Sequence, residues 1–295
     1  SVSLDGESTG KTHQFFGGAN YDKGSAAAWS WSGKILKTVE INSSTANGPD
    51  LESADWFGNS VANIGDLDGD GVNDIAGSAA GDDMCANGAD TCSIRGAAYI
   101  MYMNTDGSVK STVVIDDSTA NGPVLADNDY WAGKGLANIG DLNGDGVNDI
   151  VAGQAGASWK GAIDIMFMNT NGSVDSTVGI GHATTNGPDL DNGDQFGGGI
   201  ANIGDLNNDG VNDIAVGAVQ DDEGGTWRGA VHIMFMNTDG TVDSTVEINS
   251  STANGPDLDN SDKFGRNITN IGDLNNDGVN DLAVGAMDAD CVECT

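Results

Sequence analysis

The chain has 295 residues and a mass of 30.0 kDa, enough for a sizeable core in one or two domains. With 11 Lys+Arg against 45 Asp+Glu, the formal charge of −34 excludes a nucleic-acid partner, which needs clustered basic side chains, and disfavours an anionic membrane surface. No apolar run approaches the length of a membrane span and no secretory signal pattern is present; a start at Ser1 without Met fits a processed mature form.

In chain order, QFFGGAN from Gln14, SAAAWSWSG from Ser25 and KTVEIN from Lys37 are predicted as three strands of an N-terminal partial unit. Four near-identical acidic segments follow: NIGDLDGDGVNDI from Asn63, NIGDLNGDGVNDI from Asn138, NIGDLNNDGVNDI from Asn202 and NIGDLNNDGVNDL from Asn270. Their first aspartates are spaced by 75, 64 and 68 residues. A second phrase recurs with them: STANGPDL from Ser44, STANGPVL from Ser118, TTNGPDL from Thr184 and STANGPDL from Ser251. Repeats of this period mean an array of supersecondary units.

The third copy shows one period. FGGGIANIGDL from Phe196 is a strand running into the acidic loop, and NDIAVGA from Asn212 is a short apolar strand. RGAVHIMFMN from Arg228 and STVEIN from Ser244 flank the turn at Thr238-Asp239-Gly240. Short strands bounded by Gly, Asn and Asp turns, without helical period, predict an all-β β-propeller of four-stranded antiparallel blades, about four in number.

The acidic loops carry the chemistry. In the first copy Asp66, Asp68, Asp70 and Asp74 occupy positions one, three, five and nine, with Gly71 at six and Val72 at seven. Alternate oxygen-bearing residues in a tight loop converge on one point, and Gly lets the next carbonyl turn inward. Hard oxygen donors without His or Cys suit Ca2+. The other copies carry Asn143, Asn207 and Asn275 at position three and keep Asp at one, five and nine. Carboxylates so clustered repel one another without a cation. The competing reading is a hairpin of Asx turns without metal. The missing distal Glu and flanking helices reject an EF-hand.

Phe57-Gly58, the acidic loop, the following strand and Val216-Gly217-Ala218 together resemble the FG-GAP repeat. That repeat is the blade of the integrin α-chain N-terminal β-propeller and of related microbial surface proteins. The resemblance implies Ca2+ in a β-hairpin loop, an extracellular or cell-surface location, and adhesion or recognition. By motif match, the ligands would be Asp66, Asp68, Asp70, the Val72 carbonyl and Asp74. The second set would be Asp141, Asn143, Asp145, Val147 and Asp149; the third Asp205, Asn207, Asp209, Val211 and Asp213; the fourth Asp273, Asn275, Asp277, Val279 and Asp281. About four Ca2+ ions are expected. Three features depart from the family. No copy has the Pro of the motif, Trp131-Ala132-Gly133 stands where Phe-Gly is expected, and the material suffices for about four blades where integrins have seven.

The predicted organisation is a single domain over 1–295. It divides into an N-terminal partial blade (1–55), full repeats (56–129, 130–194, 195–262) and a C-terminal half blade (263–295). The strand count is 17, one more than four blades of four. The terminal halves are expected to close on each other within one molecule or between neighbours; closure between neighbours gives a ring or filament.

Cys85 and Cys92 flank an insertion, and Cys291 and Cys294 form CVEC; local disulfides Cys85–Cys92 and Cys291–Cys294 are expected, with the other pairings open. His13, His182 and His232 are scattered, with His232 expected at the surface or between strands, so hydrolase chemistry finds no support. Met101, Met103, Met166, Met168, Met234 and Met236 recur at matching positions and are read as blade packing. Most tryptophans are expected in the core, while exposed ones would stack on sugar rings. Asn42, Asn171, Asn249 and Asn267 begin sequons for glycosylation.

The sequence therefore points to a non-catalytic, calcium-stabilised extracellular structural protein, a homo-oligomer or homopolymer such as a filament built by half-blade exchange. The alternative is a monomeric adhesion or recognition propeller for a protein or glycan, marked by an exposed aromatic cluster at one mouth.

Overall fold

The computed structural model describes residues 12–19, 31–52, 54–82, 94–154 and 159–289, with backbone alone for 12–19 and 31–37. Cys85, Cys92, Cys291 and Cys294, Trp29, and the side chains of His13 and Trp31 lie outside the described residues. Sixteen strands are present among the described residues, and none of those residues forms an α-helix. The two N-terminal strands expected from Ser25 and Lys37 are one strand over the described residues. Trp31–Ile41 is one strand that pairs with its neighbour on both sides of Ser32-Gly33, where the register shifts as at a β-bulge.

β1 (Thr12–Ala19) and β2 (Trp31–Ile41) form a two-stranded sheet. Three four-stranded antiparallel sheets follow. The first blade holds β3 (Phe57–Gly65), β4 (Asp74–Ala79), β5 (Ala97–Met103) and β6 (Val109–Ile115). The second holds β7 (Leu136–Gly140), β8 (Asp149–Gln154), β9 (Ala162–Met168) and β10 (Val174–Gly181). The third holds β11 (Phe196–Gly204), β12 (Asp213–Ala218), β13 (Ala230–Met236) and β14 (Val242–Ile248). β15 (Phe264–Gly272) and β16 (Asp281–Ala286) make a final hairpin. The first strands β3, β7, β11 and β15 pack in succession, the arrangement of propeller blades around an axis.

The core lies between blades. Ile64, Ile100 and Tyr102 of the first blade pack with Trp131, Ile150 and Met166 of the second. Ile139, Ile163 and Ile165 of the second pack with Phe196, Ile214 and Met234 of the third. A blade caught between two others buries both faces, so β5 is buried at every position, whereas the edge strand β6 is buried only at its two ends. The six repeated methionines are all 2% exposed or less, as blade packing requires.

The glycines of the repeat have a steric cause. A Cβ on Gly217 would sit 2.0 Å from the Gly265 carbonyl oxygen, and one on Gly153 would sit 2.3 Å from that of Gly197. Gly197 and Gly265 both have φ of +91°. The penultimate residue of β8 and of β12 therefore touches the Gly after Phe in the next blade, and none of these four glycines admits a side chain. In the second blade Trp131 takes the buried aromatic place at 0% exposure, and Ala132 holds the left-handed backbone that glycine holds in the other blades, with φ of +59°.

Side-chain amides stitch the junctions, two at the first and third and one at the second. Asn148, Asn212 and Asn280 each donate through Nδ2 at 3.0 Å to a carbonyl of the preceding blade: Ile64, Ile139 and Ile203 respectively. Asn138 and Asn270 do the same to Asn63 and Asn202 at 3.3 and 3.2 Å. At the outer edge Thr112, Thr177 and Thr245 donate at 2.7 Å to the carbonyls of Asn47, Asn121 and Asn186 in the second repeated phrase. That phrase is thus an inter-blade connector.

Candidate metal centres and aromatic rim

Each acidic loop joins the end of a first strand to the start of a second, so all four lie on one rim. Their geometry repeats closely. In the first loop Asp66 Oδ1 accepts from Asp70 N at 2.9 Å and Oδ2 from Gly71 N at 2.8 Å. Asp70 Oδ1 accepts from Val72 N at 2.9 Å. The loops starting at Asp141, Asp205 and Asp273 make the same bonds within 0.1 Å. Carboxylate oxygens of Asp66, Asp68 and Asp74 lie within 4.8 Å of one another. This all-oxygen donor set fits a hard dication such as Ca2+.

The aspartate at position nine has a second duty. Asp74 is 1% exposed and accepts from Leu67 N and Met103 N, both at 2.9 Å. Asp149 and Asp213 bridge the loop and the third strand in the same way. Burial pushes the carboxyls of Asp74 and Asp213 up, and that of Asp149 to about 6; neighbouring loop aspartates add to the shift. Among the described residues Asp281 makes the bond to Leu274 N, and no third strand lies beside β16.

Positions three and five are tied together in every loop. Asn143, Asn207 and Asn275 each donate an amide hydrogen to the aspartate two residues on. The first loop has Asp68 there, and Lys110 replaces the amide, its Nζ 2.6 Å from Asp68 and 2.7 Å from Asp70. Its counterparts in β10 and β14 are Asp175 and Asp243. The hydrogen bond from Lys110 holds Asp70 below the usual carboxylate range.

The opposite rim is aromatic and basic. Trp56 stacks on Tyr130 (6.2 Å, 7°), Tyr130 stacks on Trp159 (6.0 Å, 28°), and Lys134 Nζ lies 5.5 Å from the Trp159 ring centre. Trp56 and Trp159 are 46% and 50% exposed, and Trp227 is 48% exposed. The expectation that most tryptophans are buried is corrected: among the described side chains only Trp131 is. These residues precede strands that start at this rim, and the repeat fixes Trp56, Tyr130 and Trp159 at φ near +50° (54, 48 and 57°), aiming their rings outward. Arg95, Lys134, Lys160, Arg228, Lys263 and Arg266 all lie at this rim, and Lys110 at the other. Burial and the nearby Arg266 charge bring Lys134 down to about 8.

Among the sequons, Asn171 and Asn267 are exposed, whereas Asn249 is 6% exposed with its amide nitrogen held by Glu247. His232 lies between strands, 1% exposed.

Residues 196–234, which hold Phe196-Gly197, the third acidic loop and Val216-Gly217-Ala218, match the family described as FG-GAP repeat. The chain carries an FG-GAP repeat. Similarity to known proteins extends beyond these residues. Integrin alpha-4 of Xenopus laevis is 32% identical over 153 residues, 51% of this chain and 14% of that protein. Integrin alpha-PS5 of Drosophila melanogaster is 31% identical over 156 residues, 52% and 14% of the two chains. Integrin alpha pat-2 of Caenorhabditis elegans is 26% identical over 287 residues, 89% of this chain and 21% of that protein. The chain thus spans about one seventh to one fifth of the length of these relatives.

Proposed function

We propose that this FG-GAP chain is a non-catalytic recognition propeller of the cell surface or extracellular space, one domain over 1–295, in which the acidic rim holds about four Ca2+ ions and the aromatic rim takes an acidic glycan. The observation that carries this reading is the stacked row Trp56–Tyr130–Trp159 with Lys134 over its end. Exposed aromatic rings give sugar rings a rigid apolar platform, and a cation beside them favours a carboxylated sugar over a neutral one. In a chain of charge −34, basic side chains gathered on one rim mark where an anion is tolerated. The likeness to integrin alpha chains favours an adhesion-type role in the same compartment.

The loop residues named from the motif would hold the metal: in each loop the aspartates at one, five and nine, the Asp or Asn at three and the carbonyl at seven. Bound Ca2+ would neutralise carboxylates that otherwise repel, and so stiffen the rim opposite the ligand. Glycan-array binding in Ca2+ tests the reading. The chain should retain uronic- or sialic-acid glycans, and Trp159→Ala should lose them. An array with no bound glycan, or equal binding by the variant, overturns it.

A second reading, assembly by half-blade exchange, rests on matching ends. Thr38 occupies the register of Thr112, and Asn73 that of Asn148. Among the described residues neither makes the junction bond of its counterparts, and the Asn254 and Ile271 carbonyls at the other end are the acceptors they would need. The β1–β2 and β15–β16 hairpins sum to one four-stranded blade. Light scattering separates the outcomes: closure between chains gives rings or filaments that Asn73→Ala weakens, and closure within a chain gives a particle of 30.0 kDa.

A further inference from the structure

The third blade contains a polar cluster that its neighbours lack. His232 on β13 faces Val216 on β12 and Glu247 on β14, and Asp221 closes the turn after β12. A ring nitrogen of His232 and one carboxylate oxygen each from Asp221 and Glu247 lie within 4.8 Å of one another. Asp221 is 5% and His232 1% exposed, and His232 Nε2 has no hydrogen-bond partner.

The same register in the other blades shows how unusual that is. In the first blade it holds Tyr99, whose hydroxyl lies 2.8 Å from Asp82 Oδ2, with Val114 opposite. In the second it holds Asp164, which accepts from Trp131 Nε1 at 3.0 Å and Gln154 Nε2 at 3.1 Å, with Gly179 opposite. A buried polar atom in this layer is otherwise satisfied, because leaving one unpaired costs about 1–3 kcal/mol. The third blade instead combines an unpartnered imidazole nitrogen with two carboxylates.

We propose that Asp221, His232 and Glu247 bind a first-row transition dication such as Zn2+, at a site distinct in kind from the acidic loops. Burial holds the imidazole neutral, with its protonation pushed down to about 4, so a lone pair is available at neutral pH. One nitrogen and two anionic oxygens select a borderline cation over Ca2+, which takes oxygen donors. The cation neutralises two carboxylates that otherwise crowd each other. Ligands on tetrahedral zinc sit about 3.3 Å apart for bonds of about 2.0–2.1 Å, so the site must contract by up to about 1.5 Å, which rotation of the half-buried Glu247 side chain supplies. Glu223, hydrogen-bonded to Glu247, or a water completes the shell.

The test uses untagged full-length chain saturated with Ca2+, so that the acidic loops are filled, titrated with ZnCl2 by calorimetry and with CoCl2 by visible absorption. One tight equivalent of Zn2+, and a Co2+ spectrum with a nitrogen ligand, are expected. His232→Tyr rebuilds the Tyr99–Asp82 arrangement of the first blade and should weaken Zn2+ more than about 100-fold, beyond the loss of a supporting hydrogen bond, with the Ca2+ response unchanged. Glu247→Val places the first blade's Val114 at a strand-edge position and provides a folded control should the tyrosine variant misfold. No Zn2+ equivalent in the presence of Ca2+, or equal affinity in the folded variants, overturns the proposal.

Discussion

Asp164 on β9 accepts a hydrogen bond from the indole of Trp131, 3.0 Å away at the entrance to the same blade. Desolvation raises the carboxyl to about 7, and the indole bond offsets only part of that. The folded chain thus holds a proton that the unfolded chain releases near 3.8. Asp164 adds stability as pH falls from about 7 towards 4 and loses it as pH rises. Asp164→Asn should remove that slope, by no more than about 4 kcal/mol between pH 4 and 8. Urea midpoints of both chains at pH 5 and pH 8 check it; the readout is their difference, since Asp194 and Glu247 slope the same way. Trp131→Phe should cost about 1–3 kcal/mol at pH 8, where the carboxylate loses a donor.

Chelation should lower the melting temperature reversibly. At a free Ca2+ concentration of 100 times Kd, each occupied loop adds about 2.7 kcal/mol. Asp205→Ala should remove one loop's share of the Ca2+ increment. It should also destabilise the metal-free chain, because Asp205 accepts from Asp209 N and Gly210 N. Calorimetric melts with and without EDTA separate the two effects.

Lys110, bonded to Asp68 and Asp70, would compete with a metal bound in the first loop. Lys110→Ala should tighten Ca2+ there several-fold and leave the other loops unchanged, with the gain shrinking in high salt. A Ca2+ titration followed by NMR of the Gly71 and Gly146 amides resolves the loops.

Asn212→Ala deletes the junction bond to the Ile139 carbonyl. A loss of about 1–3 kcal/mol is expected, with hydrogen exchange rising first at the junction between the second and third blades.

The sequence made the repeat, the strands and the loops legible, because period-2 alternation and fixed Asp spacing are local properties. It made less legible whatever depends on which residue meets another across a junction. Asp74 reads as one more oxygen in the loop, and only the sheet shows it fastened to Met103 N. Trp56, Tyr130 and Trp159 lie far apart in the chain and form one row because the first and third strands of the blades start at one rim. Lys110 is 40 residues from Asp70, its loop partner. A signal for it was available in hindsight: the one loop with an extra Asp is matched by Lys where the other blades have Asp.

The junction asparagines carry a genetic consequence. Each repeat brings its own donors and its own acceptors, so any whole unit fits between any two others without redesign of the seam. Unequal recombination between near-identical DNA copies can therefore lengthen or shorten such an array by complete repeats and leave a product that still packs. A cut at any other phase would strand an amide from its carbonyl.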